Sequence, residues 1–363
     1  MNLPNPDPHG TPTLPPPGGD LTVPPPFRST GAPEAVPLVF TGRGGEYFGI
    51  WIVNLLLTIV TFGIYSAWAK VRRMQYFYRN TSLAGASFDY HGNPVAILKG
   101  RAIMFALFMV YNLAINFAPL FGLGVGLVLA GVMPLLLQRS LRFRAHNTSW
   151  SGLRFGFDGS QGGAYRVFLL WPFLTMITLY LLGPMWHQRL KQYQHRYARF
   201  GATPFSFDAP VGGFYRVYLM MIGILVLGVV VAGAVGGFGA KVNPATAALI
   251  PLAIFLLFLF VQPYVMAKLQ NLVWNHTQVG PHRFDSHVAP GRLFFIFITN
   301  LIGIVLTLGL YQPFAAIRLA KYRLESVSLL AAGPLNDFVA GQQQQVSATG
   351  EGAADVFDID IAL

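Results

Sequence analysis

The sequence predicts an all-α polytopic membrane protein, with about seven transmembrane helices in repeated units and short strand-like segments at the membrane surface. Three observations carry this. Apolar runs occur at about 47–66, 101–120, 122–138, 165–186, 214–235, 245–267 and 292–314, and six of the seven reach the roughly 20 residues that crossing requires. The chain is 53% hydrophobic and only 11% charged, against roughly 25% in ordinary globular domains, so it has too little charge to cover a soluble surface. Basic segments rich in Tyr, Phe and Trp follow the runs, as residues at a membrane–water interface do. The net charge of +11 therefore points to anionic membrane surfaces rather than to nucleic acid.

Three regions follow in order. Residues 1–36 hold eleven prolines and one basic residue, Arg28. Such a stretch buries too little apolar surface to offset its ordering entropy, and it reads as a disordered tail. It has no basic start followed by an apolar core, hence no cleavable signal peptide. Residues 37–328 form the multi-span domain. Residues 329–363 carry no Lys or Arg and are rich in Gln, Gly, Ala and acids, which reads as a second, acidic, disordered tail.

Within the membrane domain the stretch Phe40–Tyr90 reads as a unit of which the rest contains partial copies. The unit and its later copies share a plan of a basic helix end, a polar break (Asn80-Thr81, Asn147-Thr148, Asn275-His276-Thr277), a glycine and Phe-Asp. Asn54, Tyr65, Arg72 and Tyr76 align with Asn300, Tyr311, Arg318 and Tyr322 at a constant offset of 246. Three spans per unit would invert the next copy, giving inverted repeats of the transporter kind. Counted on alternate sides, fifteen Lys and Arg lie with Lys70 and ten on the other face, a weak asymmetry. Re-entrant segments in place of spans 1, 4 and 7 would put all but Lys241 on one face. Crossing is nevertheless favoured, because a loop turning at Thr61–Gly63 holds Lys70, Arg72 and Arg73 within about 15 Å of its tip, and charges deep in hydrocarbon are costly. The N-terminus is then outside and the C-terminus cytoplasmic.

Little in the chain suggests catalysis. No Asp or Glu lies mid-span, which lowers the case for a proton-coupled pump. There is no cysteine, no paired metal-ligand spacing and no nucleophile elbow. No cofactor is implied, and the chain does not read as an enzyme. Asp89, Asp158, Asp208 and Asp285, just before apolar runs, read as helix caps or partners of the basic segments. Polar residues inside spans are the candidates for a pathway or for helix packing: Asn54, Asn112, Asn116, Gln262 and Asn300. Candidate contacts to anionic lipid are Lys70, Arg72, Arg73, Arg142, Arg189, Lys191, Arg318 and Lys321.

The segments TFGIYSAWAKVRRMQYFYRNTSLAGASFDYHG and LGLYQPFAAIRLAKYRLESVSL resemble the YjgN-like family of bacterial inner-membrane proteins, over about residues 38–328. Ala67 stands where that family often carries proline, while Pro313 keeps it in the later copy. The resemblance implies a multi-pass protein of the bacterial inner membrane and supplies no activity. The expected function is a carrier or channel for a small solute or lipid. The alternative is a non-transporting scaffold that binds anionic lipid or partner proteins.

Overall fold

The computed structural model describes residues 34–243 and 249–349. Its organising feature is a closed ten-stranded antiparallel barrel with helical hairpins rising from one end. Strand β1 (Glu34–Phe40) leads into the first hairpin, α1 (Gly44–Val60) and α2 (Ser66–Arg79), and then the strand pair β2 (Thr81–Leu83) and β3 (Ala86–Tyr90). Next come α3 (Pro94–Phe117) and α4 (Pro119–His146) with β4 (Thr148–Trp150) and β5 (Leu153–Phe157). The third hairpin rises through α5 (Gln161–Tyr165), a π-turn at Arg166–Leu170 and α6 (Trp171–Ile177), and returns as α7 (Gly183–Arg196) to β6 (Ala198–Phe200) and β7 (Thr203–Phe207). The fourth pairs α8 (Val211–Val242) with α9 (Leu249–Trp274) and feeds β8 (Thr277–Val279) and β9 (His282–Ser286). The fifth pairs α10 (Pro290–Leu306) with α11 (Gln312–Glu325), then β10 (Val327–Ala331) and α12 (Leu335–Thr349).

The strands pair in chain order, and β10 closes the ring on β1 through the registers Glu34↔Ala331 and Val36↔Leu329. Closure leaves no open edge. Alternating residues point inward, and the lumen is packed mainly with aromatics, among them Phe88, Trp150, Phe155, Phe200, Phe205 and Phe284. Tight turns join the two strands of each pair, and Gly85, Gly152, Gly201 and Gly280 all take positive φ there, a conformation open to glycine without steric cost. Helix α12 covers this turn end. Phe338 stacks on Phe200 at 6.1 Å, and the backbone N–H of Ala202 donates to the Gln342 side chain. At the opposite rim small cores sit beneath the hairpins and join neighbours, such as Ala67, Val71, Tyr90, Ile97 and Phe143 beneath α2–α4.

This architecture overturns the expectation of an all-α protein with seven transmembrane helices. Among the described residues, four helices are long and apolar enough to cross: Pro94–Phe117, Pro119–His146, Val211–Gly239 and Ile250–Trp274. The strand-like pieces are a barrel, and runs 1, 4 and 7 are helix–turn–helix hairpins that leave and return to the same rim. Their tips share one geometry. Phe62 and Gly63, Leu179 and Tyr180, and Leu308 and Gly309 are successive positive-φ pairs. The Thr61, Thr178 and Thr307 hydroxyls each donate back into the preceding turn, to Leu57, Leu174 and Gly303 carbonyls. The tip side chains are bare: Phe62 is 98% exposed and Leu308 95%, as lipid-facing residues would be.

The charge-depth objection to re-entry dissolves on this geometry. Arg72 and Arg73 lie ten and eleven residues past Phe62, roughly 15 Å along a helix. That is half of the ~30 Å hydrocarbon core, so a tip near mid-bilayer leaves both guanidiniums at headgroup level, and the Lys70 stem, eight residues past Phe62 and roughly 12 Å along, is long enough to reach it. Since β1 pairs with β10, the two ends of the barrel-forming chain lie together, whereas an odd number of crossings would set them on opposite sides; the terminal residues themselves lie outside the described residues. The inverted-repeat reading falls as well, because all four strand hairpins sit in one barrel.

Two further expectations change. Residues 329–349, read as the start of a disordered tail, form the end of β10 and α12. The rest of that tail and residues 1–33 lie outside the described residues, and β1 begins at Glu34. The Phe-Asp alignment is also out of frame by two residues. The backbone N–H groups of Thr41, His91, Asp158, Asp208 and His287 make the corresponding bonds across the rim, to Asn80, Asn147, Tyr197, His276 and Ser326 carbonyls. Asp89 and Asp285 therefore sit inside strands, whereas Asp158 and Asp208 follow them.

Candidate functional site

Above the barrel rim, α7, α8, α9 and α11 line an open cavity of about 640 Å³. Its wall is apolar where α8 and α9 face each other, with Met221, Leu225, Phe258, Val265 and Leu269. Nearer the barrel it is lined by His187, Lys191, His195, Gln270 and Arg323. The sequence explains this division. His187, Lys191 and His195 recur every four residues, which places them on one face of α7. Their helix returns from a tip and does not span.

Each polar group is held in place. The Lys191 ammonium donates to Gln194 at 3.2 Å, and the Arg323 Nε–H donates to Gln270 Oε1 at 2.6 Å. His187 Nδ1 meets the Tyr218 hydroxyl at 2.9 Å, and His195 Nδ1 meets that of Thr277 at 3.2 Å. Burial, and then the charge of Lys191, push both imidazoles down to about 4, so both are neutral at pH 7. Burial also lowers Lys191, helped by Arg144 and Arg323, and burial lowers Arg323. No carboxylate lines the cavity.

Trp274 lies at the base. It also lines a second cavity of about 140 Å³ inside the barrel, apolar but for His282, so the cavity above the rim and the lumen share a wall.

The residues singled out from sequence disperse over the fold. Lys191 and Gln262 line the large cavity. Asn112 and Asn116 donate back to Phe108 and Asn112 carbonyls in their own helix. Asn300 is buried, donates to the Ala315 carbonyl and accepts from Arg318. Asn54, its counterpart in α1, is buried with an unpartnered Oδ1. Arg72 donates to the Tyr65 hydroxyl, Arg73 lies over the Phe77 ring at 5.8 Å, and Arg189 donates to Gln192. Arg142 lines a polar recess beside Gln138 and Ser160. Arg318 and Lys321 share another with Arg292. Asp89 pairs with Arg79 at 2.8 Å and Asp158 with Arg199 at 3.1 Å.

Sequence reasoning passed over His187, His195, Gln270 and Arg323 as site residues. The four-residue spacing on α7 was visible. The approach of α9 and α11 to that face depends on barrel closure, which no local pattern displays. Among the described residues no cluster of His, Cys, Asp and Glu could hold a metal ion.

A family described as "Bacterial protein of unknown function (DUF898)" matches residues 35–356. The chain belongs to that family. It is also similar to the Inner membrane protein YjgN of Salmonella typhimurium, 35% identical over 146 residues, covering 40% of this chain and 37% of the relative. The Escherichia coli K12 protein of the same name is 36% identical over 145 residues, covering 38% and 35%. The chain thus spans little more than a third of the curated relatives it matches. No solved structure matches. As a member of the DUF898 family with these relatives and with helices able to cross a bilayer, it is an inner-membrane protein.

Proposed function

We propose that this DUF898 protein binds an anionic lipid in the large cavity and acts as a lipid carrier. One observation supports the reading above others: a single cavity joins a hydrocarbon-like wall to cations that have no carboxylate partner. The chains would lie along Leu225, Phe258 and Val265, and the headgroup against Lys191 and Arg323. The two neutral histidines supply hydrogen bonds to the site and no competing charge. Burial of apolar chain area provides affinity in proportion to the area removed from water, and the guanidinium and ammonium select an anionic head. With every Lys and Arg of the membrane domain except Lys241 on the barrel side, the positive-inside tendency favours a cytoplasmic barrel.

The scaffold alternative has support in a different place. Arg292, Arg318 and Lys321 line a recess between α10 and α11, with Glu325 beside Lys321 at 3.9 Å, where a lipid head could dock on the two guanidiniums without being moved. Purified protein in proteoliposomes with labelled phospholipids separates the two. A carrier moves lipid between leaflets, or to acceptor vesicles, and Lys191→Gln with Arg323→Gln abolishes the movement. Absence of movement, with binding sensitive only to Arg292, Arg318 and Lys321, would leave the scaffold.

A further inference from the structure

The barrel lumen contains a polar side chain with an unmet hydrogen bond. His282, on β9, is fully buried and lines the lumen cavity of about 140 Å³. Its Nδ1 accepts from the backbone N–H of Ala332 at 3.2 Å. A ring nitrogen that accepts carries no proton, so the neutral imidazole holds its proton on Nε2. Burial lowers the pKa of His282, which keeps the ring neutral. Nε2 is buried and has no hydrogen-bond partner among the described residues. Phe338 of α12 packs against the imidazole with centroids 4.7 Å apart, and an aromatic face satisfies an N–H only weakly. A buried donor left in this state is costly.

The rest of the lining limits what could satisfy it. The other lining side chains are Leu, Val, Phe and Trp, and none of these carries an acceptor. The Trp150 indole N–H already donates to the Ala86 carbonyl at 3.1 Å. Water suits the space poorly, because it needs about 2–4 polar partners, whereas an apolar cavity of roughly 150 Å³ takes up benzene. A charged group would lose its hydration with no counter-charge to offset the loss. An alcohol or phenol would bring a donor of its own that no lining side chain could accept. A carbonyl brings an acceptor alone.

We propose that the lumen binds a neutral, ring-sized carbonyl compound, such as an aromatic ketone, aldehyde or quinone, whose oxygen accepts from His282 Nε2–H. The site lies across the Trp274 wall from the cavity above the rim. It stands independently of the lipid reading of that cavity.

The test uses the full chain in detergent, with acetophenone and its isostere α-methylstyrene, in which a methylene replaces the carbonyl oxygen. Acetophenone should bind saturably and about tenfold more tightly than the isostere, the effect of pairing one buried donor. The infrared carbonyl stretch of the bound ketone should move to lower frequency. His282→Asn keeps an oxygen for the Ala332 N–H but draws the second nitrogen back from the lumen, and it should erase both the preference and the band shift. Val279→Phe fills the lumen and should abolish binding of both probes. Equal affinity for the two probes, or a preference and band shift that persist in His282→Asn, would overturn the carbonyl assignment. Binding that survives Val279→Phe would place the probe elsewhere and overturn the lumen site, as would the absence of saturable binding. The comparison of the two probes needs only the unaltered protein, so it decides the question even where a variant fails to fold.

Discussion

The indole of Trp274 meets the ring of Phe284 edge-on, with centroids 4.9 Å apart, and this contact stands between the cavity above the rim and the barrel lumen. Trp274→Ala should join the two spaces. Because Trp274 is only half-buried, the change should cost no more than about 3 kcal/mol, the low end for losing a buried aromatic. A thermal melt reads the loss, and an environment-sensitive apolar dye should gain a binding site in the variant.

The barrel also fixes sidedness. In this cysteine-free chain, Ser87→Cys, Ser206→Cys and Arg283→Cys place thiols on strands of one ring, and Lys241→Cys places one at the far end of α8. An impermeant maleimide should label the first three from the same face and the fourth from the opposite face. Alternation among the three would refute the fold.

Asn300 and Asn54 occupy matching places with unequal satisfaction. Asn300→Leu removes the side-chain donor to the Ala315 carbonyl and one of two acceptors of Arg318, which keeps the Tyr311 hydroxyl, and should destabilise by about 1–3 kcal/mol. Asn54→Leu removes a buried acceptor without a partner and should be neutral or stabilising. Paired melts of the two variants check the asymmetry.

The three re-entrant tips differ at one position. Gly63 and Gly309 take φ of 91° and 95°, but Tyr180 holds φ of 66° with a full side chain. Left-handed backbone costs a non-glycine residue about 1–2 kcal/mol. Tyr180→Gly should therefore stabilise by up to about 1 kcal/mol, while Gly63→Val and Gly309→Val should lower the melting temperature.

Acid should loosen the cavity. His187 and His195 have folded values near 4, below the ordinary 6.5. Between these values the unfolded chain binds more protons, so stability rises with pH there and is lost as pH falls from about 6.5 toward 4. For His195 the effect is on the order of 3 kcal/mol at most. His195→Phe should flatten the dependence of melting temperature on pH between 7 and 4.5.

Composition and the apolar runs made membrane residence legible, but the caps lie a few residues beyond the aspartates expected to supply them: Asn93 rather than Asp89, and Ser160 rather than Asp158. The barrel was not legible, because β2, β4, β6 and β8 are three residues each, and alternation over three positions specifies no partner. Re-entry was encoded in Gly63 and Gly309 within runs of spanning length, yet a lone glycine inside a crossing helix is also tolerated. The candidate site was half visible: Lys191 and Gln262 stood out, but the residues facing them come from other hairpins, from Met221 thirty positions beyond Lys191 to Arg323.

The pairing of Glu34–Phe40 with Val327–Ala331 has a consequence for biosynthesis. A ribosome must deliver about 290 residues after Phe40 before that first segment finds its last neighbour. During that interval an unpaired flank is open to other chains. Premature termination anywhere before Val327 should thus yield not a smaller working protein but a sticky fragment for proteases to clear.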